Sequence, residues 1–292
     1  MKKWWLIMSL TVAVFAIQFS ATAASAVHLK KESSIVPLAK AHAHNDYEHE
    51  RPLYDALEHG FTSVEADVWL KDGELLVAHD QINVNPERTL KSLYLDPLKE
   101  RVHENRGSVY NGTNQDFLLW IDIKSEDVAT YKEIHKQLAE YKKILTKFSM
   151  SGVKQSAITV IISGNRPRDL MEDQNIRYAT FDGRMSDLGT NVPNEFMPVI
   201  SDNWTKHFIL QGIGEMPEHE REKLNNIVKE AHNRGQIVRF WATPDKALSN
   251  REAVWNELLK AGVDLINTDD LAGLQQYLLE HDPNPTKQHI EW

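Results

Sequence analysis

The chain has 292 residues, 41% of them apolar and 26% charged, with a formal net charge of −9. An acidic chain without a lysine- or arginine-rich run lacks the clustered cations that grip nucleic-acid phosphates or anionic lipid, so no nucleic-acid partner is expected. There is no cysteine, which excludes disulfides, thiol catalysis and cysteine metal ligands.

The first 26 residues read as a signal peptide. Lys2 and Lys3 precede an apolar run over residues 4–19, and Ala24-Ser25-Ala26 fits the small-residue cleavage rule. The run is short for a membrane span, which argues against an uncleaved anchor, and no later segment is apolar enough to cross a bilayer. The expected product is secreted, extracellular or in the cell envelope, with no stable span after cleavage. An oxidising destination without disulfides leaves the core to supply the stability. Residues 27–38 are a flexible lead-in, 39–282 one domain and 283–292 a tail. The oligomeric state is not legible.

Short apolar runs then alternate with amphipathic stretches. A strand is predicted at 38–43 and a short helix at 53–58, closed by Gly60. Residues 63–70 alternate as a strand, with Val64, Ala66 and Val68 on one face and Glu65, Asp67 and Trp69 on the other. Lys71-Asp72-Gly73 turns the chain into a hairpin with 74–78. A strand at 117–123 leads into a helix over 125–148, where Tyr131, Ile134, Leu138, Tyr141 and Leu145 keep helical spacing. Strands follow at 158–162, 178–181 and 197–200. A helix over 217–234 ends at Gly235, and a strand follows at 237–241. Ser249 and Glu252 are spaced as a capping box for a helix ended by Gly262. A strand at 265–267 and a helix at 271–280 close the chain. Strand–helix alternation demands right-handed crossovers and a parallel sheet. About eight strands favour an α/β TIM (β/α)8 barrel over an open sheet. No Gly-x-Gly-x-x-Gly or P-loop supports a nucleotide-binding fold.

In such a barrel catalytic groups collect at the carboxyl ends of the strands. Four strand ends here carry polar groups. The first is Ala41-His42-Ala43-His44-Asn45-Asp46-Tyr47, the second Glu65-Ala66-Asp67, the third His79-Asp80 and the fourth Ile121-Asp122-Ile123-Lys124. Two carboxylates at i and i+2 share a face. Pointing inward they repel unless a cation lies between them, and oxygen ligands suit Ca²⁺ or Mg²⁺. Each group alone has a plainer reading: a hydrogen-bonded structural histidine, an acidic pair on a solvated edge, a surface Asp–Lys pair. Their convergence at one end of adjacent strands is what an oxygen-rich metal site flanked by histidines requires.

These motifs resemble the superfamily of PLC-like phosphodiesterases, which includes glycerophosphodiester phosphodiesterases and phosphoinositide-specific phospholipases C. The matching residues are His44 (or His42), Glu65-Ala66-Asp67, Lys71-Asp72-Gly73, His79-Asp80 and Asp122-Ile123-Lys124. Trp241-Ala242-Thr243, Gly262-Val263-Asp264 and Thr268-Asp269 add softer matches. The usual His-Arg-Gly and Pro-Glu-Asn-Thr elements are missing. His-Asn-Asp-Tyr, Arg51-Pro52-Leu53 and the Ser63–Trp69 strand look like the branch containing the fungal "altered inheritance of mitochondria" protein six. The resemblance implies one divalent cation, Ca²⁺ or Mg²⁺, held by Glu65, Asp67 and Asp122, with Asn45 as a further ligand. It implies His44 and His79 as the acid–base pair, His42 as the rival of His44, and Lys124 in contact with the phosphate. Trp241 is a candidate for lining the pocket. The implied reaction is hydrolysis of a glycerophosphodiester or a related phospholipid or inositol phosphodiester, with a small-molecule or lipid substrate. Two other readings stay open. His-x-His with Asp269 also suits a zinc amidohydrolase-like barrel, although the middle strands lack the further histidines. A non-catalytic phosphate- or lipid-binding protein would keep the same scaffold.

Overall fold

Eight parallel strands close on themselves in the computed structural model of the protein, which describes residues 35–288. They are β1 (Leu38–Ala43), β2 (Phe61–Lys71), β3 (Phe117–Ile123), β4 (Ile158–Gly164), β5 (Ala179–Gly183), β6 (Val199–Asn203), β7 (Ile237–Trp241) and β8 (Leu265–Thr268). Each pairs with its neighbour in sequence, and β1 pairs with both β2 and β8. This is the expected TIM barrel. The predicted signal peptide and all but the last four residues of the lead-in lie outside the described residues.

Strand alternation splits the core in two. Val64, Ala66 and Val68 of β2, Leu119 and Ile121 of β3, and Val160 and Ile162 of β4 pack outward in the main apolar core. Leu118, Trp120, Ile161, Val199, Ile237 and Leu265 form a separate buried cluster from the opposite faces of their strands. It fills the amino-terminal half of the barrel with side chains, as barrels of this size require. Beyond it the same face turns polar, through Glu65, Asp67, Asp122, Ser163, Asp182, Ser201, Arg239 and Asn267. That change of chemistry along one face places the site at the carboxyl end.

The hairpin forms as expected. Residues 74–77 run antiparallel to β2, and Lys71 pairs with Glu74 across the loop Asp72-Gly73. Both loop residues have positive φ, 53° and 84°, as a two-residue type I′ turn requires. Helices α1 (Tyr54–Glu58), α2 (Asp96–Glu104), α3 (Asp127–Glu140), α4 (Arg168–Glu172), α5 (Trp204–His207), α6 (Glu218–His232), α7 (Ser249–Ala261) and α8 (Leu271–His281) complete the crossovers. Among the described residues no helix is long and apolar enough to cross a membrane.

Three details differ from the sequence reading. The helix expected to reach 148 stops at Glu140. Beyond it, Ile144 and Thr146 exchange backbone hydrogen bonds with Ile158, so the chain runs extended while Tyr141 and Leu145 stay buried and preserve the spacing. Lys147–Ser149 instead joins a three-stranded sheet with Gly152–Lys154 and Ile176–Arg177. The capping box at Ser249 does not form. Leu248 is the N-cap, Ser249 is already helical, and no side chain caps the helix. Helices α2, α4 and α5 lie where no helix was expected, and α2 is held by buried Leu98 and Val102. Past α8, the Pro285 carbonyl accepts from the Ala39 amide at 2.7 Å, and the Gln288 side chain bonds both backbone groups of Asp116.

Candidate active site

Parallel register brings the acidic residues together. Asp67 of β2 lies opposite Asp122 of β3, and Glu65 shares the face of Asp67 two residues earlier. Glu65, Asp67 and Asp122 each offer an oxygen within 4.8 Å of the other two. Glycine at 164 makes the room: a Cβ there would collide with Asp122 Oδ1 and the Ile123 backbone.

Two cations offset this charge incompletely. Lys124 Nζ is 3.1 Å from Asp67 and 3.2 Å from Asp122. Arg239 Nη2 donates to Glu65 Oε2 at 2.7 Å and to Asn267 Oδ1 at 2.6 Å, and its guanidinium lies 4.6 Å from the centre of the Trp120 ring. Burial would raise the Glu65 carboxyl, but Arg239 and the hydrogen bond from His42 hold it below the usual carboxylate range. The other two carboxyls go the opposite way. Burial, then the charge of Glu65, raises Asp67 and pushes Asp122 up to about 6. Three carboxylates against two cations leave excess negative charge, and Asp67 Oδ1 is buried with no hydrogen-bond partner. An orphaned buried oxygen among three convergent carboxylates fits a hard divalent cation.

The histidines divide into two kinds. His42 is fully buried, and both ring nitrogens are taken: Nδ1 by Ser63 Oγ at 2.7 Å, Nε2 by Glu65 Oε2 at 3.2 Å. Burial, then Arg239, pushes it down to about 3, so it is neutral and donates from Nε2 to Glu65. Both ring nitrogens of His42 are thus engaged within the protein, whereas His44 lines a pocket beside Glu65 and Asp122. His44 lies just past β1, and its Nδ1 meets Asp269 Oδ1 at 2.7 Å. Burial opposes its protonation, yet the Asp269 bond and the charge of Glu65 raise it above the ordinary imidazole value. His79 places Nδ1 at 3.1 Å from both Asp67 Oδ2 and the Tyr47 hydroxyl, and its side chain is more than half exposed.

Asn45 adopts a left-handed backbone, φ 48° and ψ 35°, which asparagine tolerates better than most residues. Its amide oxygen lies 2.8 Å from the Tyr47 hydroxyl, which gives its one proton to Asp67 Oδ2 at 2.6 Å, and its amide nitrogen lies 2.9 Å from His44 Nδ1. Asp46, between them, is structural: its buried carboxylate accepts from the Leu53 amide at 2.6 Å and Tyr94 at 2.8 Å, and burial pushes it up to about 7. The zinc reading loses its geometry here. The two strand-one histidines face different partners, Asp269 is taken by His44, and the convergent ligands are all carboxylates.

A pocket of about 210 Å³ opens over these groups, lined by His44, Glu65, Asp122, Lys124, Ser163, Arg184, Arg239 and Trp241. Arg184 lies 4.9 Å over the Trp241 ring and donates to buried Asp182 at 2.5 Å. Acidic and cationic side chains line the same pocket, an arrangement suited to a cation and a phosphate side by side.

The AIM6-like phosphodiesterase domain family matches residues 30–182, and the glycerophosphoryl diester phosphodiesterase family matches residues 238–272. This chain belongs to the AIM6-like phosphodiesterase family. It is 31% identical over 275 residues to altered inheritance of mitochondria protein 6 of Eremothecium gossypii, covering 82% of this chain and 69% of that one. The homolog from Arthroderma benhamiae is 29% identical over 272 residues, covering 83% and 84%. A glycerophosphoryl diester phosphodiesterase from Parabacteroides distasonis shares the fold with a TM-score of 0.50 at 13% identity, over 84% of this chain and 87% of that one.

The structure brings His44, Glu65, Asp122, Lys124 and Trp241 to one pocket, with Asp67 and His79 joined to it through Lys124 and Tyr47. Sequence reading missed Arg239, Arg184 and Ser163, and met Asp269 only as part of the softer Thr268-Asp269 match and as a zinc ligand. Counting back two residues from Trp241 on β7 puts Arg239 on the inward face, the one signal that was available.

Proposed function

We propose that this AIM6-like phosphodiesterase is an exported, divalent-cation-dependent phosphoric diester hydrolase acting on glycerophosphodiesters or related phospholipid and inositol phosphodiesters. The observation that carries it is the acidic cluster: three convergent carboxylates with an orphaned Asp67 oxygen, at a pocket that His44, Lys124 and Arg184 help to line. Glu65, Asp67 and Asp122 would hold Ca²⁺ or Mg²⁺, which when bound supplies Lewis acidity and neutralises charge on a phosphate oxygen.

The chain's own groups do the rest. Arg239 and His42 fix Glu65 in the charged form. Tyr47 donates to Asp67 and orients it. Lys124 offers N–H donors to a nonbridging oxygen, where charge grows in the transition state. His44 and His79 transfer the protons. In each, the carboxylate on Nδ1 sets the ring and leaves Nε2 to exchange a proton with the attacking or departing oxygen. Asn45 lies against His44 and Tyr47, with its amide oxygen as a further candidate ligand. Export rests on the residues 1–26 pattern and is checked by the amino-terminal sequence of the protein recovered outside the cell, expected to begin at Val27.

The test is hydrolysis of bis(p-nitrophenyl) phosphate with Ca²⁺, with Mg²⁺ and with EDTA. Turnover is expected only with cation, and His44→Ala or His79→Ala is expected to lower it by at least about 100-fold. Full activity in both variants sinks the assignment of the pair.

A further inference from the structure

We propose that the β4–β6 side of the pocket is a second anion subsite, where Arg166 and Arg184 take an oxyanion carried on one ester arm of the substrate. The inference rests on the phosphodiester reading and specifies the substrate class.

The carboxylates of the cation site already have their cationic partners, Lys124 and Arg239. Arg184 and Arg166 are additional, and they share one carboxylate. Asp182 is fully buried and is aligned by hydroxyls on the two flanking strands, accepting from Ser163 Oγ and from Ser201 Oγ, each at 2.6 Å. It grips Arg184 Nη1 at 2.5 Å, while Arg166 Nη1 stands farther off at 3.7 Å. Trp241 covers the Arg184 guanidinium, which is thus fixed with one side on the pocket.

Arg166 follows β4 by two residues and lies over the Phe181 ring at 4.8 Å. Its side chain is only 16% exposed, and its Nε and Nη1 are buried without a hydrogen-bond partner. Buried guanidinium N–H groups left unmatched are costly, and a planar fork of donors suits an oxyanion. Burial, then the nearby charge of Arg184, holds Arg166 below its ordinary value, so an anion between the two relieves both effects. The two guanidiniums share Asp182 as their common carboxylate, with Asp187 and Asp122 the other acids whose charges reach Arg166. A choline arm would meet repulsion there; a phosphorylated polyol arm would be drawn in.

The experiment compares kcat/KM, in the cation-loaded full chain, for glycerophosphocholine, glycerophosphoglycerol and glycerophosphoglycerol bearing a terminal phosphate. The phosphate-bearing diester should be preferred by at least about tenfold over the neutral one. Arg166→Gln should abolish that preference through KM while leaving the rate on bis(p-nitrophenyl) phosphate unchanged. Arg166→Lys, which keeps the charge, should restore part of it. Equal kcat/KM for all three diesters, or a parallel loss on all substrates in Arg166→Gln, overturns the subsite. If no diester is hydrolysed with any cation, the hydrolase reading fails, and the subsite is judged separately by Trp fluorescence titration with glycerol 3-phosphate in EDTA. Binding that weakens at least tenfold in Arg166→Gln supports it; unchanged affinity, or no binding to the original chain, overturns it.

Discussion

Arg239 ties the two halves of the pocket together, joining Glu65 of β2 to Asn267 of β8 under the face of Trp120. Removing one partner of a buried pair strands the other charge, so Arg239→Met is expected to cost on the order of 3–5 kcal/mol, read from urea unfolding. A loss under 1 kcal/mol would mean that Glu65 finds another counter-ion. His44 carries the pH prediction. Its folded value is raised, so its protonated form stabilises the fold at low pH, and that contribution is lost as pH rises through the raised value. Asp269→Asn removes the charge at Nδ1 and weakens the hydrogen bond there, two of the effects that raise it. The limb of the pH–rate profile set by His44 should therefore move to lower pH in that variant; an unmoved limb would separate Asp269 from catalysis. Glu65, Asp67, Asp122, His44, His79 and Lys124 were legible because a polar residue at a strand end contradicts a core. Arg239, inside Ile-Val-Arg-Phe-Trp, was not legible, because its counter-ion is 174 positions away in sequence and only barrel closure brings the two together.

At the scale of elements, the site depends on the β2–β3–β4 register. Asp67 faces Asp122 across one strand pair, and Ser163 faces Asp122 across the next. Gly164 ends β4 at φ +69°, where a side chain is strained and would strike Asp122. Gly164→Ala is expected to lower the melting temperature and abolish the cation-induced thermal shift together; an unchanged shift in a stable variant would place the cation away from Asp122. Eight strands and most helices were readable from period-2 and period-3.6 patterns. The errors arose where tertiary pairing took over. Buried Tyr141 and Leu145 continue the helical spacing past Glu140, although Ile144 and Thr146 already pair with Ile158. Ser249 offered a cap that Leu248 displaced, because the helix starts one residue earlier than the motif implies.

For the molecule as a whole, a chain without disulfides relies on its core and on whatever binds the native state. Excess carboxylate charge at Glu65, Asp67 and Asp122 opposes folding at neutral pH, and a bound cation should relieve it. At 100 times its dissociation constant a ligand adds about 2.7 kcal/mol, which for a domain of this size raises the melting temperature by roughly 5–11 °C. Asp122 sits near 6, so the shift should be full at pH 7.5 and fade as acidification protonates that carboxyl; a shift equal at pH 5 and pH 7.5 would exclude Asp122 from the cation site. The most direct test of the central claim follows glycerophosphoglycerol by phosphorus NMR with the full chain, its Asp67→Asn variant, Ca²⁺, Mg²⁺ and EDTA. The diester signal should give way to a monoester only with cation and only with Asp67 intact. A folded protein that leaves the diester unchanged with either cation, or cleaves it equally well in EDTA, would contradict the account.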